Sequence, residues 1–245
     1  MIRSHVANGV MEICIDRPDK RNALSHDMYL ELGRLVDAAG ADATCAAVIL
    51  YGAGGLFTAG ADIQDFQTKR GHEDAPAVVF LRALARANVT LIAAVENFAI
   101  GIGATMLQHF DFVYAPAQTR FRMPFVALGL CPEGASTYLL EKIVGVRKAR
   151  QWLLQCRYFD GTEARDAGFI TELVAPGEAL NVARQTAADL ARLPRNSLRT
   201  AKRMLRETSQ AQVTQAFDLE VRAFADLLNT DETQQIFKKF LDKAR

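Results

Sequence analysis

Two short stretches, Phe57-Thr58-Ala59-Gly60-Ala61-Asp62 and Ala99-Ile100-Gly101-Ile102-Gly103-Ala104, decide the fold of this 245-residue chain. Each follows an apolar, β-like run, residues 46–51 and 91–95, and each opens into sequence that can form a helix. A strand that turns sharply into a helix N-terminus leaves backbone N–H groups without acceptors and aims them outward. Two such turns face to face would direct two N–H groups at one carbonyl oxygen, which suits an enolate or a tetrahedral adduct. Small residues let the ligand oxygen reach the backbone. The plainer alternative is a pair of structural turns.

Outward from these turns, residues 10–16 alternate Met11, Ile13 and Ile15 with Glu12 and Asp16, the pattern of a half-buried strand. Pro18 through Asn22 breaks it. Ser25 is placed to cap a helix whose Met28, Leu32, Leu35, Val36 and Ala39 form one apolar stripe. Residues 63–75, with Lys69, Arg70, Gly71 and His72, read as a mobile stretch. Helices are expected over 77–86, 104–110, 134–143 and 146–154, with strands near 112–115, 120–123 and 170–174. From about Leu180 the pattern is helical, broken by Pro194 and Asn229-Thr230-Asp231. Strands alternating with helices predict an α/β core with a helical C-terminal appendage.

Half the residues are apolar and the formal net charge is +1, so no global field draws the chain to nucleic acid or membrane. Cys14, Cys45, Cys131 and Cys156 are dispersed, which argues against a disulfide framework or zinc site and fits a reducing compartment. The histidines (His5, His26, His72, His109) form no metal pattern. The N-terminus has no signal-peptide apolar region, and no run approaches the roughly 18 apolar residues of a membrane span. A cytoplasmic location is expected. Arg195, Arg199, Lys202, Arg203 and Arg206 read as a solvated helix face rather than an RNA-binding surface.

Arg17-Pro18-Asp19-Lys20-Arg21-Asn22-Ala23-Leu24, the two small-residue turns and Asp111 downstream resemble, in order and spacing, the crotonase (enoyl-CoA hydratase/isomerase) superfamily, from about residue 5 to the C-terminus. The resemblance implies an α/β crotonase-like spiral of strand-strand-helix units. It implies a core with an acyl-CoA site over residues 1–190 and a helical oligomerisation segment over 191–245, forming a homotrimer or homohexamer. It also implies that the backbone N–H groups of Ala61 and Ile102 are the oxyanion donors. Isoleucine stands at 102 where members of the family typically have glycine.

Hydratases of this family use two glutamates, one just after the second turn and one after the following strand. Here those positions hold Thr105 and Phe125, and efficient hydration, which needs two such groups, becomes improbable. Glu133, in Pro124-Phe125-Val126-Ala127-Leu128-Gly129-Leu130-Cys131-Pro132-Glu133-Gly134, is similar to the single acid/base of the peroxisomal-type 3-enoyl-CoA to 2-enoyl-CoA isomerases. Its apolar neighbours should raise its basicity. The alternative for Glu133 is a cap on a helix opening at Gly134.

By the same match, Arg17, Lys20, Arg21, Ala59, Ile63 and Lys239 would contact CoA, and Phe125 and Leu128 would line the acyl pocket. Asp62 reads as the cap of the helix after the first turn. No metal or redox cofactor is expected, since CoA enters as part of the substrate. The alternatives are a weak enoyl-CoA hydratase or acyl-CoA thioester hydrolase and, in another class, a non-catalytic acyl-CoA- or RNA-binding protein.

Overall fold

The computed structural model describes residues 1–62 and 74–243, with side chains as far as Lys239. The stretch expected to be mobile lies outside the described residues, save for Asp74 and Ala75. Asn8 and Gly9 take φ of 53° and 74°, the twist of a two-residue hairpin turn, and join β1 (Ile2–Ala7) to β2 (Val10–Ile15). The sequence reading missed β1, although Asn-Gly is the strongest short hairpin signal.

Beyond this hairpin the main sheet is parallel. It runs β1-β2-β3-β4-β6-β9, with β3 at Ala47–Gly52, β4 at Thr90–Ala94, β6 at Phe112–Pro116 and β9 at Glu172–Val174. A second, three-stranded sheet orders β5 (Phe98–Ile100), β7 (Arg120–Arg122) and β8 (Phe159–Asp160). The strands β5 and β8 were not expected; at three and two residues they are too short to show a period.

The helices follow as α1 (His26–Ala41), α2 (Pro76–Arg86), α3 (Ile102–Thr105), α4 (Ser136–Val144), α5 (Val146–Gln155), α6 (Gly161–Asp166), α7 (Ala179–Ala191), α8 (Arg195–Glu207), α9 (Gln210–Leu228) and α10 (Asp231–Lys243). A 3-10 turn at Met106–His109 continues α3. The continuous apolar runs of β3 and β4 arise because both sheet faces are covered. Val48, Leu50, Leu91 and Ala93 join the main core with α1 and α2, while Ala47, Ile49, Ile92 and Ala94 pack with Ala179, Ala183 and Ala187 of α7. Phe121 belongs to an aromatic cluster with Trp152, Phe159 and Phe169.

Three local expectations are corrected. Ser25 stands at the N-cap of α1, but its hydroxyl makes no capping bond. The second turn becomes helical at Ile102, two residues before the expected start. The basic face of α8 is not simply solvated: Arg199 donates to the carbonyls of Ala39, Gly40, Asp42 and Cys45, Arg195 to those of Thr44 and Ala191, and Arg206 to that of Arg86. Orphan carbonyls at the ends of α1 and α2 attract cations, which the spacing of the charges could not reveal. Lys202 pairs with Asp111, whose Oδ2 also accepts the Leu91 amide at 2.7 Å.

Candidate active site

Asn22 is fully buried and anchors the first turn. Its Nδ2 donates to the carbonyls of Ala53 and Leu56, each at 2.9 Å, and its Oδ1 accepts the Arg17 amide at 2.8 Å. Thr58 Oγ1 donates to the Asn22 carbonyl at 2.7 Å and accepts the Gly60 amide at 3.0 Å. Leu24 then bridges the turn, taking the Gly60 carbonyl with its amide at 2.8 Å and giving its carbonyl to Asp62 at 2.9 Å. In a parallel bridge of this kind the intervening residue turns its own amide the other way. Among the described residues, the Ala61 N–H accordingly has no backbone acceptor.

The second turn lies against the first. The Ile100 amide donates to the Thr58 carbonyl at 3.2 Å, and the Gly101 amide to the Arg122 carbonyl at 2.9 Å. Two glycines permit the contact: a Cβ on Gly60 would lie 2.5 Å from the Ile100 carbonyl oxygen, and one on Gly103 would lie 2.6 Å from the Thr58 methyl. Ile102 opens α3, so its amide is one of the orphan donors of a helix start.

Both Ala61 and Ile102 face a largely apolar cavity of about 370 Å³, which Glu133 also lines. The Glu133 Oε1 accepts the Thr105 hydroxyl at 2.6 Å. The carboxyl is open to the cavity but otherwise enclosed by protein. Burial pushes its pKa up to about 8, with the nearby charge of Glu220 adding to the rise and the Thr105 hydrogen bond opposing it.

The expected helix opening at Gly134 is corrected. The helix α4 starts at Ser136, and the side chain that meets its first amides is that of Glu220, not Glu133. His109 reaches the Gly134 carbonyl with Nε2 at 3.0 Å. Burial lowers its pKa to about 4, so the neutral ring donates there. The Cys131 thiol is pushed up to about 11 by burial, in keeping with a packed, neutral side chain.

The other expected site residues lie in different surroundings. Arg21, Ala59, Phe125 and Leu128 line the cavity. Arg17 is committed to the framework, pairing through Nη1 with Asp62 at 2.8 Å and with the Ala23 carbonyl at 3.2 Å. Asp62 holds Arg17 through its carboxylate; the stretch it was expected to cap lies outside the described residues, as does Ile63. Lys20 is exposed in the turn Pro18–Lys20, and Lys239 is exposed on α10.

The sequence reading missed Thr105 as the partner of Glu133. It also missed the wall supplied by Phe217, Glu220, Phe224 and Leu228 of α9 and Phe237 of α10. A residue-by-residue match to catalytic motifs carries no signal for such a wall. The apolar spacing 217, 221, 224, 228 on α9 was the available clue. Among the described residues, no three histidine, cysteine or acidic side chains converge as a metal-binding group, and no helix is long and apolar enough to cross a membrane.

A spiral α/β core carrying two apposed small-residue turns beside a buried carboxylate defines the crotonase class. The sequence profile of the enoyl-CoA hydratase/isomerase family matches residues 5–245, and the chain belongs to that family. The chain is 28% identical to a short-chain-enoyl-CoA hydratase of Clostridium acetobutylicum, over 96% of this chain and 92% of that protein. It is 30% identical to human enoyl-CoA delta isomerase 2, over 96% of this chain and 62% of that protein. An enoyl-CoA hydratase/isomerase of Pseudoalteromonas atlantica superimposes with a TM-score of 0.93 at 33% identity, covering 99% of this chain and 97% of that one. The helical C-terminal segment is part of this fold.

Proposed function

We propose that the chain is an isomerase that converts a 3-enoyl-CoA into the trans-2-enoyl-CoA, with Glu133 as its single acid/base. The observation that carries this reading is a carboxyl of raised proton affinity, hydrogen-bonded by Thr105, on the cavity that Ala61 and Ile102 also line. The names of its relatives cover both reactions, and that of the human relative fits the one proposed.

In the proposed reaction the thioester oxygen accepts from the two amides, which acidifies C2. Ionised Glu133 removes a proton from C2. The C–H electron pair forms the C1–C2 double bond of a dienolate, whose oxygen carries the charge. The electrons then return from oxygen: C2–C3 becomes double, and the C3–C4 π pair takes the same proton from the Glu133 carboxyl at C4. Atoms and charge balance with no added water, metal or redox group.

Phe125 and Leu128 would hold the acyl chain, and Lys20, Arg21, Ala59, Ile63 and Lys239 the CoA moiety. Arg17 supports the reading indirectly, by fixing the first turn through Asp62. Thr105 and Phe125 stand where the family's hydratases carry their glutamates, so hydration would lack its usual pair of groups.

The test is double-bond migration in 3-hexenoyl-CoA, followed by 2-enoyl thioester absorbance, beside hydration of crotonyl-CoA. Fast migration with slow hydration is expected. Hydration or thioester cleavage as the faster reaction would reverse the assignment, and tight CoA binding without turnover would favour a binding protein. Because the base must be ionised, kcat/KM should rise with pH through a midpoint near 8 and level off above it. A profile flat from about pH 6 to about pH 9 would count against Glu133 as base.

We also propose assembly as a homotrimer or homohexamer through residues 191–245. Met204 and Leu205 on α8 and Leu219 on α9 are 60%, 78% and 59% exposed, large apolar side chains that a subunit contact would cover. Light scattering should give a trimeric or hexameric mass, and Leu205→Glu should shift it toward smaller species. A monomeric mass for the parent protein would refute the assembly.

A further inference from the structure

Glu220 has no part in the reaction as drawn, yet its carboxylate is 4% exposed and lines the same cavity as Glu133. Its Oε2 accepts the Ala135 amide at 2.6 Å. Its Oε1 accepts the Thr137 amide at 2.8 Å and the Thr137 hydroxyl at 2.6 Å. These groups open α4, where the N-cap residue is Ala135 at φ 60°, with no side-chain oxygen of its own. On the other flank, the Cys131 thiol donates to the Glu220 backbone carbonyl at 3.7 Å. The segment carrying Glu133 is therefore tied to one residue of α9 two positions before it and two positions after it.

A helix start can be capped by a local serine or asparagine. Burying a carboxylate for that purpose is costly unless its charge is used. We propose that Glu220 is a positioning residue for Glu133, clamping the 131–137 segment from both sides. Lining the same cavity, its negative charge also makes Glu133 a stronger base. The inference rests on the reading of Glu133 as the acid/base.

Among the described residues, Glu220 is the anion whose charge acts on Glu133. His109, beside Gly134, is neutral, and Cys131 holds its proton. On α8, Lys202 is paired with Asp111; on α2, Arg82 is paired with Asp74 and Asp218. Arg21, His26, Tyr29, Arg122 and Tyr158 also line the cavity. The Glu220 carboxyl is itself pushed up to about 7 by burial, against its three hydrogen bonds. The two carboxyls titrate as a coupled pair, whose midpoints belong to the pair.

The experiment is a titration of ¹³C-carboxyl-labelled glutamates by NMR in the parent protein, Glu220→Gln and Glu133→Gln, beside pH profiles of isomerisation. Two carboxyl midpoints should lie above the ordinary range in the parent protein and one in Glu220→Gln. That one should fall roughly one pH unit below the parent's upper midpoint. The kinetic midpoint should move with it, kcat falling between about 10-fold and 10²-fold with KM nearly unchanged.

Should Glu220→Gln not fold, Thr137→Val removes one donor and leaves the carboxylate in place; the lower midpoint should then rise toward the upper. An unchanged Glu133 midpoint in Glu220→Gln, or unchanged midpoints in Thr137→Val, would overturn the inference. Retained turnover in Glu133→Gln would instead overturn the acid/base reading, while the NMR titration still decides whether Glu220 governs the Glu133 carboxyl.

Discussion

Glu133→Gln should lower isomerisation of 3-hexenoyl-CoA by about 10³–10⁴-fold, the upper part of the range for a general acid–base group, because here one group makes both proton transfers. The amide keeps the size of the carboxyl and still accepts the Thr105 hydroxyl, so the fold should survive. Its stability should change in a direction that identifies the group. The carboxyl's pKa in the folded protein, about 8, lies above its ordinary value of 4.5. The stability it contributes is therefore present below pH 4.5 and is lost as pH rises through about 8.

Glutamine does not titrate, so the variant should gain in Tm relative to the parent as pH is raised across that window. A dead enzyme that is as stable as the parent, or more stable in alkali, separates the chemical role from a structural one. Turnover within a few-fold of the parent would remove Glu133 from the mechanism.

How much of this was legible in the sequence depends on the range of the interaction. The two turns and the strands leading to them were readable because strand, small residues and helix start follow one another within a dozen positions. Glu133 was singled out by the resemblance of its segment to the family's isomerases, and its neighbours in sequence already announce an apolar setting. Its controls were not. Thr105 is 28 positions away and Glu220 is 87, and only the packing of α3 and α9 around α4 brings them together.

The same distinction explains the basic residues of α8. Their helical spacing suggested a solvated face, since nothing local shows that the carbonyl ends of α1 and α2 lie opposite them. Arg17 and Asp62 are a further case. They lie 45 positions apart in sequence, and only folding sets them 2.8 Å apart as an ion pair. Local pattern pointed to the candidate centre, and tertiary contacts show which neighbouring charges are engaged in ion pairs.

Gly60→Ala should damage turnover as well as stability. It combines two effects that can be separated. Gly60 has φ of 92°, which an L side chain adopts only under strain of about 1–3 kcal/mol. In addition, the new Cβ would lie 2.5 Å from the Ile100 carbonyl oxygen, a backbone atom fixed by the pairing of the two turns. Relief requires the turns to part, and the amide of the next residue, Ala61, moves with them.

Losing one oxyanion donor costs about 10²–10³ in kcat, so a fall of that size is expected alongside a lowered Tm. Gly177→Ala supplies the comparison: φ there is 84°, but nothing lies within 4 Å of the added methyl. It should lose stability through backbone strain and keep its turnover. If both variants lost kcat in step with Tm, general destabilisation would account for the effect. A loss of kcat confined to Gly60→Ala, measured well below either Tm, would mean that the spacing of the two turns is itself part of the catalytic apparatus.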